Sequence, residues 1–181
     1  MAREPCILPT HVTACQEGST MGVLTLIAAL LSLAAAGVHS CSPGFQDIRG
    51  QCYAFRSELT VTWEDAKDLC TQMGSNTILA SVKSPDTFRD IYEYIIAYGL
   101  TGSFWLGASD TAVEGDWHWL DGSRVSRGTP YWAIHNSFTG WIQEPDGGTE
   151  ENCLALDVAR KFYFNDLPCT LPHHALCEEI V

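Results

Sequence analysis

The side chains best equipped for chemistry in this chain are carboxylates and amides gathered in short runs: Asp110, Glu114 and Asp116; Glu144-Pro145-Asp146; Glu151-Asn152; and Asn165-Asp166. Oxygen donors in such numbers suit a hard cation, which takes about six to eight of them. The charge balance raises the same question. The chain's 181 residues carry 22 Asp and Glu against 10 Lys and Arg, a net charge of −12. Either these acids repel one another on a solvated surface, or a cation sits among them. The balance also argues against a nucleic-acid or anionic-membrane partner, because phosphate is held by clustered Lys and Arg. Disorder is disfavoured, since 46% of residues are hydrophobic and only 18% charged. His173-His174 with Glu178 could suggest a metal or acid–base site, but their spacing matches no hydrolytic motif. Asp86 beside Ser84 reads as helix capping. An enzyme is not expected.

The elements that must position these runs begin after a leader. Val23 to Ala36 is an apolar run of 14 residues, short of the roughly 20 a membrane span needs and suited to the core of a signal peptide. Val38 and Ser40 fit the small −3 and −1 sites, so cleavage is expected after Ser40, leaving a domain over 41–181 and a secreted protein. Met21 would start a compact signal peptide by itself, which makes residues 1–20 an upstream extension; an uncleaved signal anchor is the alternative. Cleavage removes Cys6 and Cys15 and leaves six cysteines, Cys41, Cys52, Cys70, Cys153, Cys169 and Cys177. Export makes disulfides their default state. No C-x-x-C pair supports zinc, and spacing alone does not choose among the pairings. Without Arg3, Glu4 and Glu17, 9 basic and 20 acidic residues remain, a net charge of −11. No N-x-[ST] acceptor occurs.

Within 41–181, Gln51–Phe55 reads as a strand. Thr62 caps a helix running to Met73, with Trp63, Ala66, Cys70 and Met73 on one apolar stripe and Gly74 closing it. A second helix starts at Ser84-Pro85-Asp86, buries Phe88, Ile91, Ile95 and Tyr98, and ends at Gly99. Then come short strands: Phe104–Gly107, Trp117–Leu120, Cys153–Val158, Phe162–Phe164 and Ala175–Glu178. The stretch Gly122–Gly148 reads as a long loop, which inside a domain is usually functional. Helices early and strands late make the class α+β.

Three segments then align. They are Trp105-Leu106-Gly107 continuing through Glu114-Gly115-Asp116-Trp117-His118-Trp119; Trp141 with Glu144-Pro145-Asp146; and Glu151-Asn152-Cys153 followed by Phe164-Asn165-Asp166 and Cys169. Together they resemble the C-type lectin domain over essentially all of 41–181. The resemblance implies two helices, two small antiparallel sheets and a long calcium-binding loop, with Trp105, Trp117 and Trp119 in the core. It implies three disulfides, Cys70–Cys177, Cys153–Cys169 and the long-form bridge Cys41–Cys52, and a cis peptide at Pro145. It also implies a calcium ion held by Glu144, Asp146, Glu151, Asn165 and Asp166. A second ion would use Asp110, Glu114 and Asn152, weakened because Gly147 offers no oxygen at a further matching position; turn capping by Asp110 and Glu114 is the alternative.

In this family a sugar places two vicinal hydroxyls on the calcium, and the ion's ligands hydrogen-bond those hydroxyls. Glu144, Asp146, Glu151 and Asn165 would therefore also bind carbohydrate. The mannose-type motif Glu-Pro-Asn pairs an acceptor with an amide donor, and the galactose-type Gln-Pro-Asp reverses the order. Glu144-Pro145-Asp146 is neither. Glu151 and Asn165 can serve one hydroxyl, whereas Glu144 and Asp146 are both acceptors at the other. The expectation is calcium-dependent binding of mannose-like or mixed mannose/galactose glycans, including microbial surface polysaccharides, in innate pattern recognition, with self-association as one route to avidity. A calcium-stabilised protein- or ice-binding domain of the same fold is the alternative.

Overall fold

The computed structural model describes residues 40–126, 130–138 and 140–180. The expected leader, apart from Ser40, lies outside the described residues, and with it Met21, Cys6 and Cys15.

Helix α1 (Trp63–Met73) starts where local chemistry says it should: the Thr62 hydroxyl accepts from the Asp65 amide at 3.3 Å. Trp63, Ala66 and Cys70 are buried, with Met73 partly so. Gly74 closes the helix as expected, in extended backbone (φ 172°). Helix α2 (Pro85–Ala97) is capped by Ser84, whose hydroxyl accepts from the Thr87 amide at 3.1 Å. Ile91 and Ile95 are fully buried and Phe88 packs against the core. Tyr98 departs from the expected stripe. The helix stops at Ala97, and Tyr98 stays 66% exposed, stacked on Tyr94 at 4.2 Å. Gly99 takes the left-handed position (φ 62°) that a side chain would resist.

The strands are β1 (Gln46–Ile48), β2 (Gln51–Val61), β3 (Thr77–Leu79), β4 (Phe104–Ser109), β5 (His118–Trp119), β6 (Ile134–Ser137), β7 (Gly140–Gln143), β8 (Cys153–Asp157), β9 (Tyr163–Leu167) and β10 (His173–Glu179). One large sheet runs β1-β2-β10-β4-β8-β9, with β3 on β10 and β5 on β4, while β6 and β7 form a separate hairpin. Two small antiparallel sheets were expected. The larger one is instead mixed, because the last strand enters between β2 and β4 and runs parallel to β4, pairing His174 with Phe104 and Ala175 with Trp105. The hairpin lies inside the stretch read as a loop.

Trp105, Trp117 and Trp119 are buried. The Trp105 indole N–H donates to the Val61 carbonyl at 2.9 Å and that of Trp63 to Leu106 at 2.8 Å, so these buried donors are satisfied. Gly107 has no room for a side chain, since a Cβ there would sit 2.4 Å from the Leu79 carbonyl oxygen. The three disulfides are Cys41–Cys52, Cys70–Cys177 and Cys153–Cys169, with Cα separations of 5.4, 5.5 and 5.1 Å, within the ordinary range. The last one ties the start of β8 to the chain just beyond β9.

Candidate metal and ligand site

Two segments meet at one end of the large sheet. The first leaves β7 at Gln143, passes through a cis Glu144–Pro145 bond and Asp146-Gly147, and makes a 3-10 turn over Gly148–Glu150 before Glu151. The second is β9, whose register sets Asn165 opposite Ala155 and Asp166 opposite Leu154. The segments are stitched by backbone amides: Asp146 and Gly147 donate to the Asp166 carboxylate at 3.3 and 2.8 Å.

Asp146, Glu151 and Asp166 each offer an oxygen, and these atoms lie within 4.8 Å of one another. A second group, His135, Glu144 and Asp146, shares Asp146 with the first. Glu144 is only 3% exposed. Its Oε1 accepts from Arg160 Nε at 3.2 Å and lies 3.0 Å from His135 Nδ1, while its Oε2 is buried with no hydrogen-bond partner. Asn165 is buried too. Its Nδ2 donates to Asp157 Oδ2 at 3.0 Å, and its Oδ1 has no partner. Asp157 is itself held by the Ser103 hydroxyl at 2.8 Å and the Ala159 amide at 3.0 Å. This chain fixes the Asn165 amide so that its oxygen is the atom left over.

The electrostatics follow from crowding. Burial pushes the Glu144 carboxyl up to about 8, and Asp146 adds to the rise against Arg160. Burial raises Asp166, partly offset by the Gly147 amide, and burial with Asp166 beside it raises Glu151. Carboxyls packed this way favour protons unless a cation takes their place. The donor set is almost wholly oxygen, and two buried oxygens, Glu144 Oε2 and Asn165 Oδ1, lack partners. Such a set fits calcium and is poorly matched to a softer metal.

Four of the five expected primary residues, Glu144, Asp146, Glu151 and Asp166, therefore fall in two groups that share Asp146, and Asn165 is the neighbour of Asp166 in β9. The second expected set behaves differently. Asp110 is buried, and its Oδ2 accepts from the Gly115 amide at 2.8 Å, fastening a turn. Asn152 directs its amide to the Thr149 carbonyl at 2.9 Å, and Glu114 is exposed. Neither carboxylate group found among the described residues includes Asp110 or Glu114. Gly147 does more than lack an oxygen: a Cβ there would lie 2.2–2.4 Å from the Oε2, Cβ and Cγ atoms of Glu151. Its bareness makes room for Glu151. His173 packs edge-on to Trp105, and His174 Nδ1 lies 2.7 Å from the Leu59 carbonyl, so both serve the sheet.

Sequence reasoning missed His135, Asp157 and Arg160. His135 could have been found by recognising the hairpin, which folds it back towards Glu144; Asp157 and Arg160 carry no local signal.

A model of the lectin C-type domain matches residues 59–179. Perlucin of Haliotis laevigata is 32% identical over 143 residues, covering 77% of this chain and 83% of that protein. Human C-type lectin domain family 17, member A is 30% identical over 139 residues; the match covers 77% of this chain but only 32% of that protein's length. Among solved structures, the mouse scavenger receptor C-type lectin carbohydrate-recognition domain is 27% identical with a TM-score of 0.55, covering 77% of this chain and 95% of that one. Herring type II antifreeze protein is 27% identical with a TM-score of 0.61, covering 78% and 99%.

Proposed function

The chain belongs to the C-type lectin domain family, and from that premise we propose that it binds carbohydrate through a calcium ion held by Glu144, Asp146, Glu151, Asn165 and Asp166. The observation that carries this reading is the convergence of the Asp146, Glu151 and Asp166 oxygens within 4.8 Å, beside the unpartnered buried oxygens of Glu144 and Asn165. When bound, the ion supplies a Lewis-acidic hold on two vicinal sugar hydroxyls.

The chain's own groups then orient the sugar. Asn165 has one amide hydrogen committed to Asp157 and a second left for a hydroxyl, which Glu151 can also accept from. At the other hydroxyl, Glu144 and Asp146 are both acceptors facing a single proton. An unmatched hydrogen bond to charged groups costs about 1.5–3 kcal/mol, roughly ten- to a hundredfold in affinity. The specificity is thus mixed, leaning towards mannose-like equatorial diols because Glu144 keeps its place. The setting we propose is secretion, with residues 1–40 as leader, and recognition of microbial surface polysaccharides in innate immunity, self-association supplying avidity.

A sugar array read with and without calcium tests this, together with competition by free mannose and galactose. Asp146→Asn sharpens mannose binding and Glu144→Gln moves the site towards galactose. Sugar binding untouched by either change would sink the pairing argument. A second reading, a calcium-stabilised protein- or ice-binding domain, draws on the exposed Ile134, Phe138 and Trp141 of the β6–β7 hairpin and on the antifreeze likeness. Thermal hysteresis activity, or capture that free sugar cannot displace, would favour it.

A further inference from the structure

The groove that leads away from the ion site carries a cation with nothing to pair with. Among the described residues every other Lys and Arg has a carboxylate within 4.0 Å; Lys161 has none. In a domain of net charge −11, an unpaired cation is the exception. Its position is also enforced. Lys161 and Phe162 both adopt left-handed backbone, φ 57° and 61°, where side chains are disfavoured. Phe162 is buried in the core, so packing holds the strained pair in place and keeps Lys161 on the surface beside it.

Lys161 lies where two cavities meet. One, of about 390 Å3, is lined by His135, Arg160, Lys161 and Tyr163 among others; its neighbour, of about 460 Å3, is lined by Phe88, Tyr92, Lys161 and Tyr163. Each is of ligand size. The first begins at the proposed calcium site, since His135 and Arg160 both touch Glu144. The second offers aromatic faces: Tyr163 lies 5.5 Å from Phe88, ring to ring, and is 41% exposed. Exposed aromatic faces can stack on the apolar faces of pyranose rings, and an unpaired ammonium attracts an anion.

We propose that this groove is a subsite for an acidic sugar unit, carrying a carboxylate or a sulfate, in a glycan whose neighbouring neutral unit occupies the calcium site. Lys161 supplies the charge and Tyr163 the platform. The inference rests on the calcium-dependent reading above, and its test separates the two. Three mannose-terminated disaccharides are compared with calcium present, their second unit being glucose, glucuronic acid or glucose 6-sulfate. The wild-type protein should bind at least one acidic form about fivefold more tightly than the neutral one, the upper range for an exposed charge pair. Lys161→Gln should bring that ratio to about one, and Lys161→Arg should restore it. A ratio near one in the wild type, or a preference that survives Lys161→Gln, overturns the subsite and leaves the calcium reading standing. If no disaccharide binds, the calcium reading fails, and a titration in EDTA decides the subsite: glucuronate, and not glucose, should shift the Lys161 and Tyr163 amide resonances. No shift, or the same shift from inorganic sulfate alone, overturns it.

Discussion

Gly147→Ala is the sharpest probe of the site, because the three atoms nearest the added methyl group all belong to one proposed ligand, Glu151. The backbone at Gly147 is ordinary (φ −76°, ψ −9°), so alanine adopts its torsions without strain. The new Cβ would lie 2.3 Å from Glu151 Cβ and 2.4 Å from Cγ, whereas non-bonded carbons rest at about 3.5–4.0 Å. Glu151 must therefore retreat by more than about 1 Å, while calcium ligands work only across a window of roughly 2.3–2.6 Å. A retreat of that size removes one carboxylate of four. Disturbing the support of a metal ligand costs about 10–100-fold in affinity, and losing the ligand belongs at the upper end. Calorimetric titration with calcium should show a Kd weakened by about 100-fold. Melting in EDTA should fall as well, by about 1–3 kcal/mol, because the clash reaches the Glu151 Cβ, which no change of rotamer can move. Gly148→Ala is the control. At φ 55° it strains the backbone, but its Cβ meets nothing within 4 Å, so stability falls by about 1 kcal/mol and calcium affinity stays. An unchanged Kd for Gly147→Ala, or an equal loss in Gly148→Ala, would refute the packing argument.

Three further outcomes follow from other parts of the site and fold. Asp157→Ala frees the Asn165 amide from its 3.0 Å partner and should weaken calcium by about 10–100-fold though Asp157 is no ligand; an unaltered titration would show that Asn165 needs no such anchor. Glu144, raised to about 8 by burial, holds a proton in the folded apo protein that the unfolded chain has already released, and burial moves Asp166 and Glu151 in the same direction. Their contribution is thus intact below the ordinary carboxylate range and is lost as pH rises towards about 8. Melting in EDTA should fall across that window and calcium affinity should climb over it; an affinity flat from pH 5 to 8 contradicts the cluster. Gly107→Ala drives a Cβ to 2.4 Å from the Leu79 carbonyl and should cost about 1–3 kcal/mol in urea denaturation, with or without calcium.

The helices were legible because their signals are local. Thr62 and Ser84 cap over three residues, and the stripes of Trp63, Ala66 and Cys70 and of Ile91 and Ile95 bury as their spacing says. Tyr98 was misread because spacing cannot tell where a helix stops. The β6–β7 hairpin stayed hidden since Ile134 and Trp141 face solvent, which inverts the usual pattern of a strand. The family resemblance pointed to five oxygen-bearing residues, and the fold gathers four of them, Glu144, Asp146, Glu151 and Asp166, into two groups that share Asp146. What supports them, Asp157, Ser103, Arg160 and His135, is assembled from separate strands and loops, so its chemistry exists only in three dimensions.

The Cys153–Cys169 bridge gives the two halves of the site unequal freedom. It fastens the β8–β9 pair beside Asn165 and Asp166, and Asp157 and Ser103 lock Asn165 from behind. Glu144 and Asp146 instead arrive from a two-stranded hairpin joined to the large sheet near its base, through the Ala133 amide and the Phe164 carbonyl. One half of the site is thus cross-linked covalently, whereas the other is held by hydrogen bonds alone, those of the Asp146 and Gly147 amides to Asp166 among them.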